Sequence, residues 1–339
     1  MNIKKYDCNF SQTCIENTIN QYQITYGVGD AIGFQASDTV WLSEDIKIQQ
    51  MDFILITETN QYSENNLQGD GILGLGLNSN LLNYLKNDNY IDNLSFSLLL
   101  TDSTKTQEKS MIILGGIDES LFISPLNYYP VIGNQYWQIG LSSIKFKNQQ
   151  KNFILPESPS TVILDSGSSL ILFDQISFQN FLNVLAKQYN QYCNFNGQQI
   201  ICTCQNVSSQ NINQQFPDIE FEFKNNNSEQ NAQQQFNLQP RDYIIQQNQY
   251  CYLLVSVIND LQDRAIVLGD TFFFKYYVHF DLENKQIGVA QQKLIDNNYF
   301  LTAILIIMVP IFIISISYVL IKKRQFIMQE IRIFLQSFE

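Results

Sequence analysis

The run VILDSGSSLILF, residues 162–173, decides how the rest of the chain is read. Three apolar residues lead into Asp165, the small residues Ser166-Gly167-Ser168-Ser169 follow, and four more apolar residues close the run. The pattern is that of a strand, a tight turn and a second strand, with a carboxylate at the end of the first strand. Taken alone it is also an ordinary hairpin turn. Carboxylate chemistry on water needs two carboxyl groups in different protonation states. The run therefore raises the question of where the partner of Asp165 lies.

The composition narrows the answer. The chain has 339 residues, 45% hydrophobic and 15% charged, with a formal net charge of −12. Such length supports two domains or one large one, and the negative charge argues against a nucleic-acid partner. The single histidine, His279, sits in the strand-like KYYVHFDL and reads as an ordinary strand residue. One histidine leaves little room for histidine-based zinc sites or a Ser-His-Asp triad. No metal or other cofactor is expected.

The six cysteines, Cys8, Cys14, Cys193, Cys202, Cys204 and Cys251, form no C-x-x-C pair and favour structural disulfides over zinc. Disulfides imply an oxidising compartment. N-x-S triplets at Asn9, Asn93, Asn206 and Asn226 fit a glycoprotein in that compartment. Residues 299–321 carry no charge and are long enough to span a bilayer, with Pro310 within the run. KKR follows at 322–324, which places the tail 322–339 in the cytoplasm. The beginning, MNIKKYDCNF, has no apolar signal-like stretch.

Residues 1–290 read mostly as short strands, among them MDFILITE, LSFSLLL, IEFEF, CYLLVSV, AIVLG and YYVHFD. Helices are expected near 80–88 and over 175–192. The stretch 224–236 is low in complexity and reads as a surface loop. An internal echo links DGILGLG (70–76) with AIVLGD (265–270). Gly269 lies 104 residues after Asp165, and the same spacing counted back from Gly74 runs past Met1. If the halves are duplicates, the partner aspartate is off the chain.

These residues resemble the pepsin-like aspartic endopeptidases, and the motifs run in family order over about 20–290. ITYGVGDAIG is similar to the flap hairpin, with Tyr26, Gly27 and Gly29. GDGILGLGL is similar to the segment that threads the first active-site loop, with Gly74. IILGGID resembles the passage between lobes, and YWQIGLSSI the strand that opens the second lobe. VILDSGSSL resembles the second catalytic turn, and IVLGDTFFFKYYVHFDLENKQIGVA, with Gly269, the closing segment. Two features depart from the family pattern. No Asp-Thr-Gly or Asp-Ser-Gly precedes Asp165, and no cysteine lies in LPESPSTVILDSG. The lookalike Asp38-Thr39 is followed by Val40, not glycine. Cys8 and Cys14 match the small loop that follows the family's first turn, so the chain is expected to begin just downstream of it.

The resemblance implies an all-β, bilobal acid-protease fold with an incomplete N-terminal lobe, plus one C-terminal transmembrane helix. The expected boundaries are 1–126 for the partial first lobe and 127–290 for the second. A linker over 291–298, the span 299–321 and the tail 322–339 follow. Asp165 is the implied catalytic residue, Gly167 permits the turn, and the Ser166 and Ser168 hydroxyls hold the carboxylate. Tyr26 closes over substrate. Expected bridges are Cys8–Cys14, Cys193–Cys202 and Cys204–Cys251, with the partners of Cys202 and Cys204 open to exchange. The implied activity is peptide-bond hydrolysis at acidic pH by a membrane-anchored monomer of type I orientation. Its place is the secretory or endolysosomal system or the cell surface, and its partners are peptide or protein substrates and the bilayer. The chain as written lacks the first aspartate, which makes an inactive, membrane-tethered peptide-binding protein the alternative.

Overall fold

Apolar and polar side chains alternate most plainly in one strand of the large sheet. In Asp218–Phe223, Ile219, Phe221 and Phe223 point into the core. Glu220 and Glu222 point the other way, across from Lys145 of the neighbouring strand, which bridges both carboxylates at 3.4 and 3.1 Å. Lys147 also pairs with Glu220, so the lysine stems cover the two acids on the outer face.

The computed structural model describes residues 6–26, 29–59, 70–104, 106, 109–147, 152–197, 199–204, 212–225, 235–258 and 264–293. In chain order the first strands are β1 (Ile15–Tyr26), β2 (Gly29–Trp41) and β3 (Lys47–Thr59), followed by helix α1 (Leu81–Asn87). Next come β4 (Ser95–Leu99), β5 (Met111–Leu114), β6 (Phe122–Pro130), β7 (Gln138–Lys147), β8 (Asn152–Ile154), β9 (Thr161–Leu164) and β10 (Ile171–Phe173). Helix α2 (Gln175–Tyr189) leads to β11 (Cys193–Phe195), β12 (Ile200–Thr203), helix α3 (Ile212–Gln215), β13 (Asp218–Phe223) and β14 (Gln235–Leu238). The last group is α4 (Pro240–Tyr243), β15 (Ile244–Gln247), β16 (Tyr250–Leu253), β17 (Val255–Val257), β18 (Ile266–Leu268), α5 (Asp270–Phe273), β19 (Tyr276–Asp281) and β20 (Gln286–Gln292).

The strands form four sheets. β1-β2-β3 stand together. A large sheet has the order β14-β13-β7-β9-β18-β10-β17, with β8 paired to β7. β11-β12-β16-β15 and β5-β4-β19-β20-β6 complete the set. The main core lies between the large sheet, the five-stranded sheet and α2, where Phe178 and Phe181 meet Phe146, Phe173 and Phe195. The architecture is mostly β, with five short or medium helices among the described residues. Met1–Gln292 clusters as one compact unit.

Several expectations shift. The lobe boundary at 126/127 falls inside β6, which pairs with β20, and β20 runs to Gln292. Helix α2 stops at Tyr189, because Asn190 takes a left-handed conformation (φ 54°) and its N–H caps the helix. CYLLVSV is two strands in two sheets. At Leu254 the N–H donates to the Tyr243 carbonyl and the C=O accepts from Ile171, so the chain passes from β16 to β17 there. Asn9 and Asn93 are exposed, whereas Asn206 and Asn226 lie outside the described residues. So does the expected span 299–321. Among the described residues no helix is long and apolar enough to cross a membrane.

The three bridges are Cys8–Cys14, Cys193–Cys202 and Cys204–Cys251. The side chains settle the exchange that register alone leaves open. Cys202 lies opposite Cys193 on the β11–β12 pair and opposite Cys251 on the β12–β16 pair, and it bridges to Cys193, while Cys204, just past the end of β12, bridges to Cys251.

Candidate active site

Asp165 follows β9 at the point where the chain turns away from the large sheet. β18 runs between the two arms of this turn, parallel to β9 and antiparallel to β10. Strand ends therefore grip the turn from both sides. The Asp165 N–H donates to Leu268 O at 3.1 Å, and the Ser168 N–H closes the turn on Asp165 O at 3.2 Å. The carboxylate itself is exposed.

Three consecutive residues after β18 stitch the turn from below. The Gly269 N–H donates to Leu170 O at 3.1 Å and the Asp270 N–H to Ser168 O at 2.7 Å. The Thr271 hydroxyl donates to Ser169 O at 2.9 Å. A Cβ at Gly269 would stand 2.1 Å from Ser168 O and 2.6 Å from Leu170 O, so only glycine lets the two backbones approach this closely. Gly167 has a different reason. Its N–H donates to Asp165 Oδ1 at 2.9 Å, and a Cβ there would stand 3.0 Å from that oxygen.

The expected role of the serine hydroxyls is corrected at Ser168. Its Oγ donates to Leu170 O at 3.3 Å and accepts from the Leu170 N–H at 3.4 Å. Ser166 is exposed. The carboxylate is oriented by a backbone amide, because the turn points the Gly167 N–H, and not the Ser168 side chain, at Oδ1.

Gly74 differs from Gly269. It is exposed, and a Cβ added to it meets nothing within 4 Å. Among the described residues no loop passes beside it, so the threading expected of Gly74 is not seen there. Its neighbours Ile72 and Leu73 are 61% and 52% exposed. One residue later the chain is fixed, since Trp137 Nε1–H donates to Leu75 O at 2.8 Å. The indole packs against Phe96 and Phe280. β1 is open on both faces, with Ile15 and Ile19 exposed. Tyr26 and Gly29 close the β1–β2 hairpin as a register pair, and Gly27 lies outside the described residues.

The lookalike Asp38 is a structural carboxylate. It is buried in β2, and it accepts hydrogen bonds from the Tyr6 hydroxyl, the Thr13 hydroxyl and the Thr39 N–H. The donors from Thr13 and Tyr6 hold it well below the usual carboxylate range. These bonds tie the Cys8–Cys14 loop to the hairpin.

A residue missed by the sequence reading is Asp270. Burial pushes its carboxyl up to about 6, against a hydrogen bond with Ser169, and the charge of Asp165 adds to the rise. Its signal was present in the sequence, as the Gly-Asp that ends the second half of the echo. Among the described residues no cluster of three or more His, Cys, Asp or Glu could hold a metal ion.

A strand-flanked Asp-Ser-Gly turn gripped by a glycine-led strand end defines a class, the aspartic proteases. The family model for eukaryotic aspartyl proteases matches residues 1–292, and the chain belongs to that family. Among curated relatives, gastricsin of Rattus norvegicus is 25% identical over 279 residues, covering 79% of this chain and 66% of the relative. Vacuolar protease A of Aspergillus fumigatus is 27% identical over 300 residues, covering 85% and 69%. Pepsin A of Canis lupus familiaris is 28% identical over 284 residues, covering 81% and 67%. The chain thus spans about two thirds of the length of these relatives.

Proposed function

We propose that this chain supplies one half of an acid-acting aspartic endopeptidase site, with Asp165 as the catalytic carboxylate. The observation that carries the reading is the backbone stitching of the Asp165 turn to Gly269, Asp270 and Thr271, which holds an exposed carboxylate in one orientation. In the proposed reaction one ionised carboxylate draws a proton from water, and the water attacks the peptide carbonyl. The second, protonated carboxyl stabilises the developing oxyanion and passes its proton on. Asp165 is the only aspartate in the chain followed by Ser-Gly or Thr-Gly. The reading therefore requires a second such turn, and the resemblance of GDGILGLGL to the segment that threads the first active-site loop assigns that turn to the neighbourhood of Gly74. Tyr26 at the hairpin end is assigned to close over substrate and exclude water.

The apolar run 299–321 is proposed as the anchor of a single-pass protein of type I orientation, which keeps a monomeric protease domain in the secretory or endolysosomal lumen or at the cell surface. Protection of a C-terminal tag from protease in sealed vesicles tests this, and digestion of the tag from outside reverses the topology.

Peptide-library cleavage at pH 3–6 tests the chemistry in three chains: Met1–Glu339, the same chain extended by an upstream Asp-Thr/Ser-Gly segment, and the extended chain with Asp165→Asn. Only the second should cleave. General acid–base assistance is worth roughly 100- to 10,000-fold, so the loss is easily measured. An extended chain with both turns that binds peptide without cutting it favours the inactive peptide-binding reading. Cleavage by the short chain with second-order dependence on its concentration favours a homodimer in which two Asp165 turns meet.

A further inference from the structure

Four of the six cysteines gather on one face of the sheet β11-β12-β16-β15. Cys193 of β11 is the register partner of Cys202 on β12, and Cys202 is in turn the register partner of Cys251 on β16. Register partners on antiparallel strands share a face, so these three side chains stand side by side. Cys204 follows two residues after Cys202 and reaches Cys251 diagonally. Cys202 and Cys251 thus each have two cysteines within bridging reach. The bridges Cys193–Cys202 and Cys204–Cys251 use one choice of pairing and leave the other, Cys202–Cys251, unused.

The unused pairing needs no movement of the backbone. Opposed residues of an antiparallel pair have Cα atoms about 4.5 or 5.5 Å apart, inside the usual span of a disulfide. The backbone around Cys204 is also held without its bridge. Its N–H donates to Gln249 O at 2.9 Å, and Ile200–Thr203 pairs with Tyr250–Leu253. Loop closure favours neither pairing, since Cys251 lies 49 residues after Cys202 and 47 after Cys204. Access does differ. Cys202, Cys204 and Cys251 are buried, whereas Cys193 is half-buried on the edge strand, between the exposed Tyr192 and Asn194.

We propose that these four cysteines form a redox relay: reduction enters at Cys193 on the sheet edge and emerges, by disulfide exchange, as a free thiol at the buried Cys204. The reductant is an external dithiol. One of its thiolates attacks Cys193 Sγ, and Cys202 leaves as a thiolate. The second thiol of the reagent resolves the mixed disulfide, so the reagent departs as its own disulfide and two electrons and two protons remain on Cys193 and Cys202. The Cys202 thiolate then attacks Cys251 Sγ. The Cys202–Cys251 bond forms as the Cys204–Cys251 bond breaks, and Cys204 leaves as a thiolate that takes up the proton Cys202 gave away. This second step gains and loses no electrons. The relay unfastens β11 from β12 while β12 stays bridged to β16, so a reduction at the edge is registered at Cys204 without opening the inner pair of strands. The inference does not depend on catalysis by Asp165.

Differential alkylation of the full chain tests it. The chain is treated with limiting dithiothreitol and quenched in acid, which stops exchange by removing thiolates. Free thiols are then tagged with a maleimide in acidic denaturant, the remaining bridges are reduced and tagged with iodoacetamide, and tandem mass spectrometry reads Cys202 and Cys204 separately. Direct reduction of Cys204–Cys251 frees its two cysteines equally, so maleimide on Cys204 in excess over Cys251 is the signature of exchange. Because the two loops are nearly equal, that excess should settle within about tenfold of the tag on Cys202, and it should appear after the Cys193 tag. Cys193→Ser should divide the maleimide between Cys202 and Cys204 with no reductant added, and Cys202→Ser should abolish the excess at every dithiol level. The unmodified chain gives its reading whether or not the variants fold. Equal tags on Cys204 and Cys251 while Cys193 and Cys202 are freed overturn the proposal, as do tags on Cys204 and Cys251 that precede the one on Cys193, or an excess that survives Cys202→Ser.

Discussion

Replacing each of the two echo glycines by alanine should have opposite consequences. At Gly269 the new methyl would stand 2.1 Å from Ser168 O, 2.6 Å from Leu170 O and 2.7 Å from Ser168 C, all backbone atoms that cannot rotate away. Overpacking of this kind costs about 1–3 kcal/mol and sometimes more. Moving the turn aside also weakens the Gly269–Leu170 and Asp270–Ser168 hydrogen bonds, at about 1 kcal/mol each. Gly269 has φ −95°, which alanine tolerates, so a gain of about 0.4–1 kcal/mol from the unfolded chain offsets part of this. The net loss is about 2–4 kcal/mol, or a fall in Tm of roughly 3–7 °C for a unit of this size. At Gly74 the methyl meets nothing, so Gly74→Ala should leave the Tm unchanged or slightly raised. Urea and thermal unfolding of the full chain, followed by the fluorescence of the buried Trp137, measure both. Equal effects at the two positions, or a Gly269→Ala protein within about 0.5 kcal/mol of the parent, would refute the close-approach argument.

Three further outcomes follow from the described contacts. Asp270 binds its proton more tightly when folded, so its contribution to stability is complete below pH 3.8 and is lost as the pH rises through about 6; Asp270→Asn should remove that slope from a pH series of unfolding curves. Opening the Cys204–Cys251 bridge by Cys204→Ser with Cys251→Ser releases a loop with a sequence separation of 47 and should cost about 4 kcal/mol on the chain-entropy account, against about 2.5 kcal/mol for Cys193–Cys202 with a separation of 9; denaturant midpoints of the two double variants give the order. Trp137→Phe leaves Leu75 O without its donor and should cost about 1–3 kcal/mol, with proteolysis near residues 70–76 increased.

Local pattern alone made much of the molecule legible. Richness in β-branched and aromatic residues between turn residues marked IEFEF and YYVHFD as strands, because such side chains suit the pleated surface of a sheet; both strands prove to be buried on both faces. Asp165 and Gly269 were marked by small residues set between apolar runs, and the echo between residues 70–76 and 265–270 paired the two glycines. Contacts between distant segments were not legible. Only the packed side chains join Cys202 to Cys193 and Cys204 to Cys251, because Cys202 lies in register with both Cys193 and Cys251, and cysteines two apart differ in sequence by nothing that selects a partner. CYLLVSV reads as one strand, yet Leu254 divides it, since its N–H meets the carbonyl of Tyr243 at the end of α4 and its C=O meets the N–H of Ile171 in the large sheet. Asp38 carries a catalytic-looking Asp-Thr and proves structural once Tyr6 and Thr13 are seen to donate to it. The sequence by itself determined which residues can turn, pair and ionise, because those properties belong to the side chain. The tertiary structure decided which backbone atom each of them meets, because hydrogen-bond partners and free space depend on how strands far apart in the chain are brought side by side.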